Sequence, residues 1–536
     1  MVYNTLVSGW TDLKKTGYSA CIDTSFLPPR DLLLAPRDMR ERGKDMAGKV
    51  MSERGRKLLS DFPVLNALYE HDRKGIEGII KLVEGATEYN RTVAAPRALE
   101  LDERMEREPD YFDWDMMRAA CKYRFFSLAI PEVLGGLASK YMVTAMALVV
   151  EELCSACGGI GLAIAAHSLG VAPVIASGAM AHWETVLREI VEEEEKGNPV
   201  LMAYAITEPS AGTDVEEPEF LEMAKIGMEA KKVKGGYRLN GRKCFISGGS
   251  EAKYLTLTAA TDRSRPLETW TTFLIERDME GYSVPRVELK MGQRACHAAE
   301  LLFEDVFVPD SHVLGYEGDG IANGILIIMA ASRGPVGSIA TGIARGAFEH
   351  FLAWARDSRN GKRPIDEDRI RMALAEMWAA IQENRSLYIS HSLGGDALFR
   401  NAFTHPLFLS AFLIPRQVRA SKPYTALLNS YYGKGLVNIL FRYFIKDDDA
   451  TDMLAKASLA KFACADNAMY LTSRALELMG MDDSPQRRWV EKAYRDAKLT
   501  QIYEGTNQLN RLVVYNTEIA HTLKVEIPGP FKKGVR

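Results

Sequence analysis

Most of the short motifs that announce a particular chemistry are missing from this chain. There is no HExxH, no clustered Cys/His set and no GxSxG, and neither GxxxxGKS/T nor a strand-to-helix GxGxxG occurs. Metal-dependent hydrolysis, serine hydrolysis, P-loop chemistry and a Rossmann dinucleotide site therefore lose their usual sequence support, and no metal site is expected. The seven cysteines follow no regular spacing, which suggests reduced thiols in a cytosol-like compartment. Charge of one sign is absent too: 67 basic residues face 71 acidic ones, a net charge of -4, so no global field draws nucleic acid. The N-terminal MVYNTLVSGWTDLKK has no apolar h-region and carries Asp12 early. It reads as neither a secretory signal nor an acid-poor transit peptide, and a cytoplasmic location is the expectation.

What is present is ordinary for a soluble globular protein, with 47% apolar and 26% charged residues. A chain of 536 residues has room for about three or four domains. The longest charge-free stretch, Cys154 to Trp183, is long enough to span a membrane. Its many small residues and Pro173 favour a buried, close-packed helix pair instead.

Three regions separate by hydrophobic period. After an irregular extension over 1–60, with Pro28-Pro29, Pro36 and a basic run from Arg37 to Arg56, a helical pattern occupies 61–198. Short alternating runs follow over 199–315, including Tyr254-Leu-Thr-Leu-Thr258, Thr272-Phe-Leu-Ile275 and Leu301-Leu-Phe303. Within Tyr237–Ile246, Asn240-Gly241 lies between two strand-like arms and predicts a hairpin. The helical period returns over 316–536. Strands do not alternate with helices, so the expected class is α+β, not a doubly wound sheet: a helical domain, a β-barrel-like middle domain and a C-terminal helical bundle. Residues 396–446 stand out as an insertion. Seven Lys or Arg (Arg400, Arg416, Arg419, Lys422, Lys434, Arg442, Lys446) are interleaved there with ten Phe or Tyr against one acid, Asp396. Such a segment suits an anionic membrane surface, an acidic partner, or a contact that covers the core or joins subunits.

Three stretches carry candidate chemistry. In QIYEGTNQLNR, Gly505 can break the preceding amphipathic helix and Thr506 or Asn507 can cap a new one, leaving Glu504 in the turn between. A solvated loop acid is one reading. The other is a general base whose pKa rises from about 4.3 to near 6 or 7, roughly 3 kcal/mol of differential interaction supplied by desolvation. In AYAITEPSAGTD a strand-like run ends in a small-residue loop, which either is an ordinary exit or brings backbone N–H groups and the Thr207 and Thr213 hydroxyls to a flat or phosphorylated ligand. In KCFISGG, Phe245 and Ser247 fall on one face of a strand, an aromatic wall beside a polar contact.

In this order and with these spacings, YAITEPSAGTDV, KCFISGG, MGQRACHAAELLFEDVFVP and QIYEGTNQLNR resemble the acyl-CoA dehydrogenase family, over roughly residues 70–395 and 450–525. The resemblance implies an FAD enzyme with the three-domain fold. It would oxidise an acyl-CoA thioester to a 2-enoyl-CoA, pass electrons to an electron-transfer flavoprotein or similar acceptor, and assemble as a homodimer or homotetramer. Glu504 resembles the base that removes the α-proton, and Arg333 the arginine near it. Relatives that carry the base on another helix are matched here by Ser332, not by a carboxylate. Tyr204, Ile206, Thr207, Phe245 and Ser247 match positions around the flavin ring, and Gly212 and Thr213 the loop near the flavin and CoA phosphates. Thr506 and Gln508 match positions that touch FAD; Thr213 and Gly505 are also expected at the substrate, Gly505 by freeing the turn. Phe245 stands where many relatives have tryptophan. Arg359 is an approximate match for an arginine reaching a neighbouring subunit's FAD, and Glu477 replaces a neutral residue at the adenine end. A flavin oxidase on the same fold and a non-catalytic, nucleic-acid-binding relative are the alternatives; oxygen consumption and a gel shift separate them.

Overall fold

Glycines at helix crossings set how the helical elements of this chain approach one another. A Cβ at Gly342 would lie 2.4 Å from the Glu151 carbonyl oxygen, and one at Gly346 2.2 Å from that of Ser155. Spaced four residues apart, these two glycines let two backbones touch along one helix face. The computed structural model describes residues 51–358, 361–404, 409, 411–430, 447–520 and 523. The chain divides into two units at Arg56/Lys57. All of the first but residues 51–56, and with it most of the expected 1–60 extension, lies outside the described residues; everything below concerns the second.

The principal helices are α1 (Arg73–Tyr89), α2 (Ala95–Arg107), α3 (Met142–Ala156) and α4 (Gly158–Ala176) before the sheet. After it come α5 (Ile327–Arg356), α6 (Asp368–Thr404), α7 (Asp447–Met479), α8 (Pro485–Thr500) and α9 (Asn507–Val514). Helix α5 is central and packs on α3, α6, α7 and α8. The charge-free stretch forms α4, and α4 and α5 are both long and apolar enough to cross a membrane by length and composition. Yet 72% of the apolar window of each is buried inside the protein, the placement expected of core helices. Cys154 and Cys157 form a CxxC at the α3–α4 corner. Both thiols are buried and free, and burial pushes both above the ordinary thiol range, an environment that disfavours the reactive thiolate.

Eight strands form one sheet: β1 (Met202–Ala205), β2 (Glu229–Val233), β3 (Gly236–Ser247), β4 (Tyr254–Ala260), β5 (Trp270–Glu276), β6 (Tyr282–Val287), β7 (Ala298–Pro309) and β8 (Val313–Leu314). The order is β6-β7-β3-β2-β4-β5-β8, with β1 pairing β4 in parallel. Leu239, Leu255, Leu257, Phe273, Leu301 and Phe303 belong to its single apolar core. The hairpin expected at Asn240-Gly241 is not there. The two-residue turn is Lys234-Gly235, which joins β2 to β3 with Gly235 at φ 81°. Asn240-Gly241 is instead a bulge inside β3, whose register on β7 shifts between Leu239 and Gly241, and the Asn240 side chain accepts from the Asp305 N–H at 2.9 Å. Strand β7 gives β3 a partner along its whole length, so the chain runs on where a lone turn signal would fold it back.

The described part of the 396–446 insertion prolongs α6 and then covers the helical domain. Arg416 pairs with Glu192 at 2.5 Å, and the buried Arg419 pairs with Glu184 and lies over the Phe412 ring. Asp396 accepts the Val143 N–H at 2.7 Å at the start of α3. Lys434, Arg442 and Lys446 lie outside the described residues.

Candidate active site

Helix α8 opens on Ser484 as N-cap with Pro485 at the first helical position, and α9 opens on Thr506, whose hydroxyl accepts from the Leu509 N–H at 3.3 Å. The turn between them carries two successive left-handed residues, Glu504 (φ 55°) and Gly505 (φ 74°). Left-handed backbone is uncommon for a non-glycine residue and persists where the surroundings hold it. Here the holding groups are explicit. Arg333 Nε donates to the Glu504 carbonyl at 3.1 Å, Lys461 Nζ to the Gly505 carbonyl at 2.7 Å, and Asn510 Nδ2 to the same oxygen at 2.9 Å. The Thr506 N–H donates to Thr213 Oγ1 at 3.3 Å, tying the turn to the loop after β1.

The Glu504 carboxyl accepts from Ser332 Oγ at 2.6 Å, and both side chains face a cavity of about 170 Å³ between α3, α4 and α5. Burial raises the Glu504 pKa above the carboxylate range; the Ser332 hydrogen bond and the Arg333 and Lys461 charges pull the other way without cancelling it. Glu504 is thus a carboxylate held ready to accept a proton, with Tyr503 and Ser247 beside it on the cavity wall.

Behind the turn lies a buried charge cluster. Arg333 is fully buried, with Nη1 2.6 Å from Glu217 Oε1 and 3.1 Å from Ser458 Oγ. Glu216 is buried with Oε2 unpartnered; burial and the nearby Glu504 push it up to about 8. Burial lowers Lys461 to about 7. Three acids and two bases share this space, so the cluster relieves its excess negative charge by keeping Glu216 protonated at neutral pH. Sequence reasoning missed Glu216, Glu217 and Lys461. The signal available was Lys461 on the apolar period of α7, three residues after Ser458, where a solvated lysine has no place.

The remaining expected residues fall into two groups. Thr207 and Phe245 are neighbours through the Cys244 N–H, which donates to the Thr207 carbonyl at 2.9 Å. Lys243, fully buried, locks the same strands by donating to the Ile206 carbonyl at 2.7 Å and to Glu208 at 2.9 Å. Phe245 lies at a second bulge of β3 (φ 55°) with 61% of its surface exposed, and Ser247 is half-buried at the cavity. Thr207, Gly212, Thr213 and Thr506 are half-buried. Tyr204 and Ile206, by contrast, are buried, and the Tyr204 hydroxyl is spent on the Gly324 carbonyl. Gln508 is exposed, Glu477 is exposed and paired with Arg474 at 3.0 Å, and Arg359 lies outside the described residues.

Comparison with known proteins gives a consistent picture. Three family models match in order: the N-terminal domain of acyl-CoA dehydrogenase over residues 80–194, the middle domain over 203–306, and the C-terminal domain over 319–392 and 437–518. The chain is 30% identical over 422 residues to cyclohex-1-ene-1-carbonyl-CoA dehydrogenase of Syntrophus aciditrophicus (strain SB), covering 78% of this chain and 84% of that protein. It is 27% identical over 429 residues to a short-chain-specific acyl-CoA dehydrogenase of Clostridium acetobutylicum, covering 80% and 94%. Among solved structures, butyryl-CoA dehydrogenase from Megasphaera elsdenii superposes with a TM-score of 0.62 at 24% identity, covering 82% of this chain and 97% of that one.

Proposed function

The chain belongs to the acyl-CoA dehydrogenase family, and on that premise we propose that it oxidises an acyl-CoA thioester to the 2-enoyl-CoA with FAD as cofactor and Glu504 as base. The observation that carries this reading is one carboxyl group: Glu504, hydrogen-bonded by Ser332 at 2.6 Å, faces an apolar cavity, and its pKa is raised by burial.

The residues present fit a flat ring system where β1 and β3 end. Phe245 offers an exposed aromatic face, with the partly exposed Thr207 and Ser247 hydroxyls on the strand ends beside it. FAD, when bound, supplies the acceptor for the β-hydride. The chain supplies the rest. Ser332 fixes Oε2, which leaves Oε1 of Glu504 to take the α-proton. Arg333, Lys461 and Asn510 hold the turn through its carbonyls, so the carboxyl stays aimed at the cavity. Among the described residues no acceptor takes the Glu504 backbone N–H, which is free to donate to the thioester oxygen as charge gathers there. Apolar walls exclude water and keep the base strong. An electron-transfer flavoprotein as acceptor, a homodimeric or homotetrameric assembly and a cytoplasmic location complete the proposal.

The test is flavin bleaching by a panel of CoA esters under anaerobic conditions. At least one ester should bleach the wild type, and Glu504→Gln should slow that bleaching by about 10²–10⁴-fold while still binding the ester. A chain that binds no flavin, or bleaching unaffected by Glu504→Gln, overturns the proposal.

A further inference from the structure

Three helices of the core carry a stripe of partly exposed residues, and all three stripes line one cavity. On α4 every residue is buried except Ala165, Leu169 and Ala172, spaced as one helix face. On α5 the stripe is Ile327, Ala331, Ser332 and Pro335; on α3 it is Met142 and Met146. Lining residues run on for three to four turns of α4 and α5, so the cavity is drawn out along those helices.

Its dimensions follow from helix geometry. Leu162 and Ala176, the outermost lining residues of α4, are about 21 Å apart along the axis, and Ile327 and Ile339 of α5 about 18 Å. A cavity of about 170 Å³ lined along that length is elongated. Past Val150, Leu162 and Ile339 the three helices touch: a Cβ at Gly161 would meet Cys154 Sγ at 2.4 Å, and one at Gly342 the Glu151 carbonyl. That end is closed. From Ser332, where the Glu504 carboxyl enters, to Ile339 is about 10 Å of helix. An extended chain advances about 3.3–3.6 Å per three bonds, so this arm alone takes roughly eight bonds beyond the reacting carbons. The lining is apolar, with Phe399 and Tyr503 its two aromatic rings, save for three serines and the Tyr503 hydroxyl, and its one charge is the base itself.

We propose that the acyl group this site selects is a long, unbranched, uncharged aliphatic chain of about ten carbons or more, with Ala165 and Ala172 keeping the slot open. This rests on the reading of Glu504 as the base of an acyl-CoA dehydrogenase. It separates the chain from relatives named for a six-membered ring or a short chain, since a slot rejects the ring by width and a short chain leaves most of its wall uncovered.

The experiment measures binding and turnover separately. On flavin-loaded Glu504→Gln protein, Kd is measured for butyryl-, dodecanoyl-, cyclohexanecarbonyl- and dodecanedioyl-CoA. Methylene burial contributes about fourfold each at most, so dodecanoyl-CoA should bind at least about 100-fold tighter than butyryl-CoA. Cyclohexanecarbonyl-CoA and the ω-carboxylate should likewise fall at least about 100-fold behind it. Ala165→Phe, which fills empty space in the closed arm, should cost dodecanoyl-CoA at least tenfold in Kd while butyryl-CoA changes less than threefold. Equal affinity for butyryl and dodecanoyl esters overturns the inference, as does a preference for the ring or the diacid, or indifference to the Phe variant. A wild type that none of these esters bleaches sinks the proposed function instead, and leaves the binding comparison to stand or fall by itself.

Discussion

Ser332 shows how one hydroxyl sets the working range of a base. Its hydrogen bond favours the charged carboxylate of Glu504. Burial already holds Glu504 high, so Ser332→Ala raises it further. Proton abstraction needs the ionised form, so the acid limb of kcat/KM should move to higher pH, with the alkaline plateau changed only a few-fold. A pH profile that stays put, or moves to lower pH, counts against the assignment. Glu216 makes the complementary case. Its folded pKa of about 8 lies above the ordinary carboxylate value, so between about 4.5 and about 8 the folded chain holds a proton that the unfolded chain has lost. Its contribution is therefore full at acid pH and is lost as pH rises towards 8. Relative to Glu216→Gln, the wild type should lose stability steadily from pH 5 to pH 8, read as the difference between the two urea midpoints; a constant difference removes the raised pKa. Glu504 was legible in the sequence because an acid before glycine in an apolar turn is odd. Ser332 was visible only as the absence of a rival carboxylate. Glu216 and Glu217 were not visible, because nothing in adjacent acids after a loop says which way they face.

At the scale of elements, the turn between α8 and α9 is the most demanding piece of backbone in the site. Gly505 sits at φ 74°, where a side chain is strained, and a Cβ there would lie 3.0 Å from Leu509 Cδ2 and 3.1 Å from Arg333 Nη2. Gly505→Ala should therefore cost about 1–3 kcal/mol of stability. Because the strain is relieved by moving the neighbouring base, kcat should fall by about 10²-fold, the scale set by a 1 Å misplacement, while the Kd for a CoA ester changes much less. A variant with wild-type kcat and lowered stability alone would show that the turn is structural only. Helix period and capping chemistry made this turn readable: Thr506 caps α9 as its type predicts. The same kind of local signal failed at Asn240-Gly241. A turn dipeptide states what the backbone can do, and β7, nearly sixty residues later, decides what β3 does.

At the scale of the whole molecule, a buried ion network ties the helices before the sheet to those after it. Glu151 of α3 accepts from Arg385 of α6 at 2.7 Å and from the Tyr388 hydroxyl, and lies 3.1 Å from Arg345 of α5; Arg345 reaches Glu152 at 2.6 Å. Burial alone would push Glu151 up, but the two arginines and these hydrogen bonds hold it down at about 2. Its stabilising contribution is then complete above the ordinary carboxylate range and is lost as pH falls towards 2. None of this could be read from the sequence, where Glu151-Glu152, Arg345 and Arg385 look like charges on helix surfaces and only their burial reveals the pairing. Removing one partner of a buried pair strands the other charge at about 3–5 kcal/mol, whereas an exposed pair contributes about 0–1 kcal/mol. Arg385→Ala should therefore lower the urea midpoint sharply at pH 7, and the exposed Arg369→Ala, paired with Glu367 at 2.6 Å, should leave it nearly unchanged. The gap between the two variants should narrow as pH is lowered through the carboxylate range, because protonating Glu151 makes the lost arginine irrelevant to the wild type as well. The network also stands directly behind the groove, with Glu151 next to the lining residue Val150. Loosening it should for that reason weaken dodecanoyl-CoA binding more than butyryl-CoA binding. Equal losses for both esters would mean that these charges hold the helices together without shaping the slot between them.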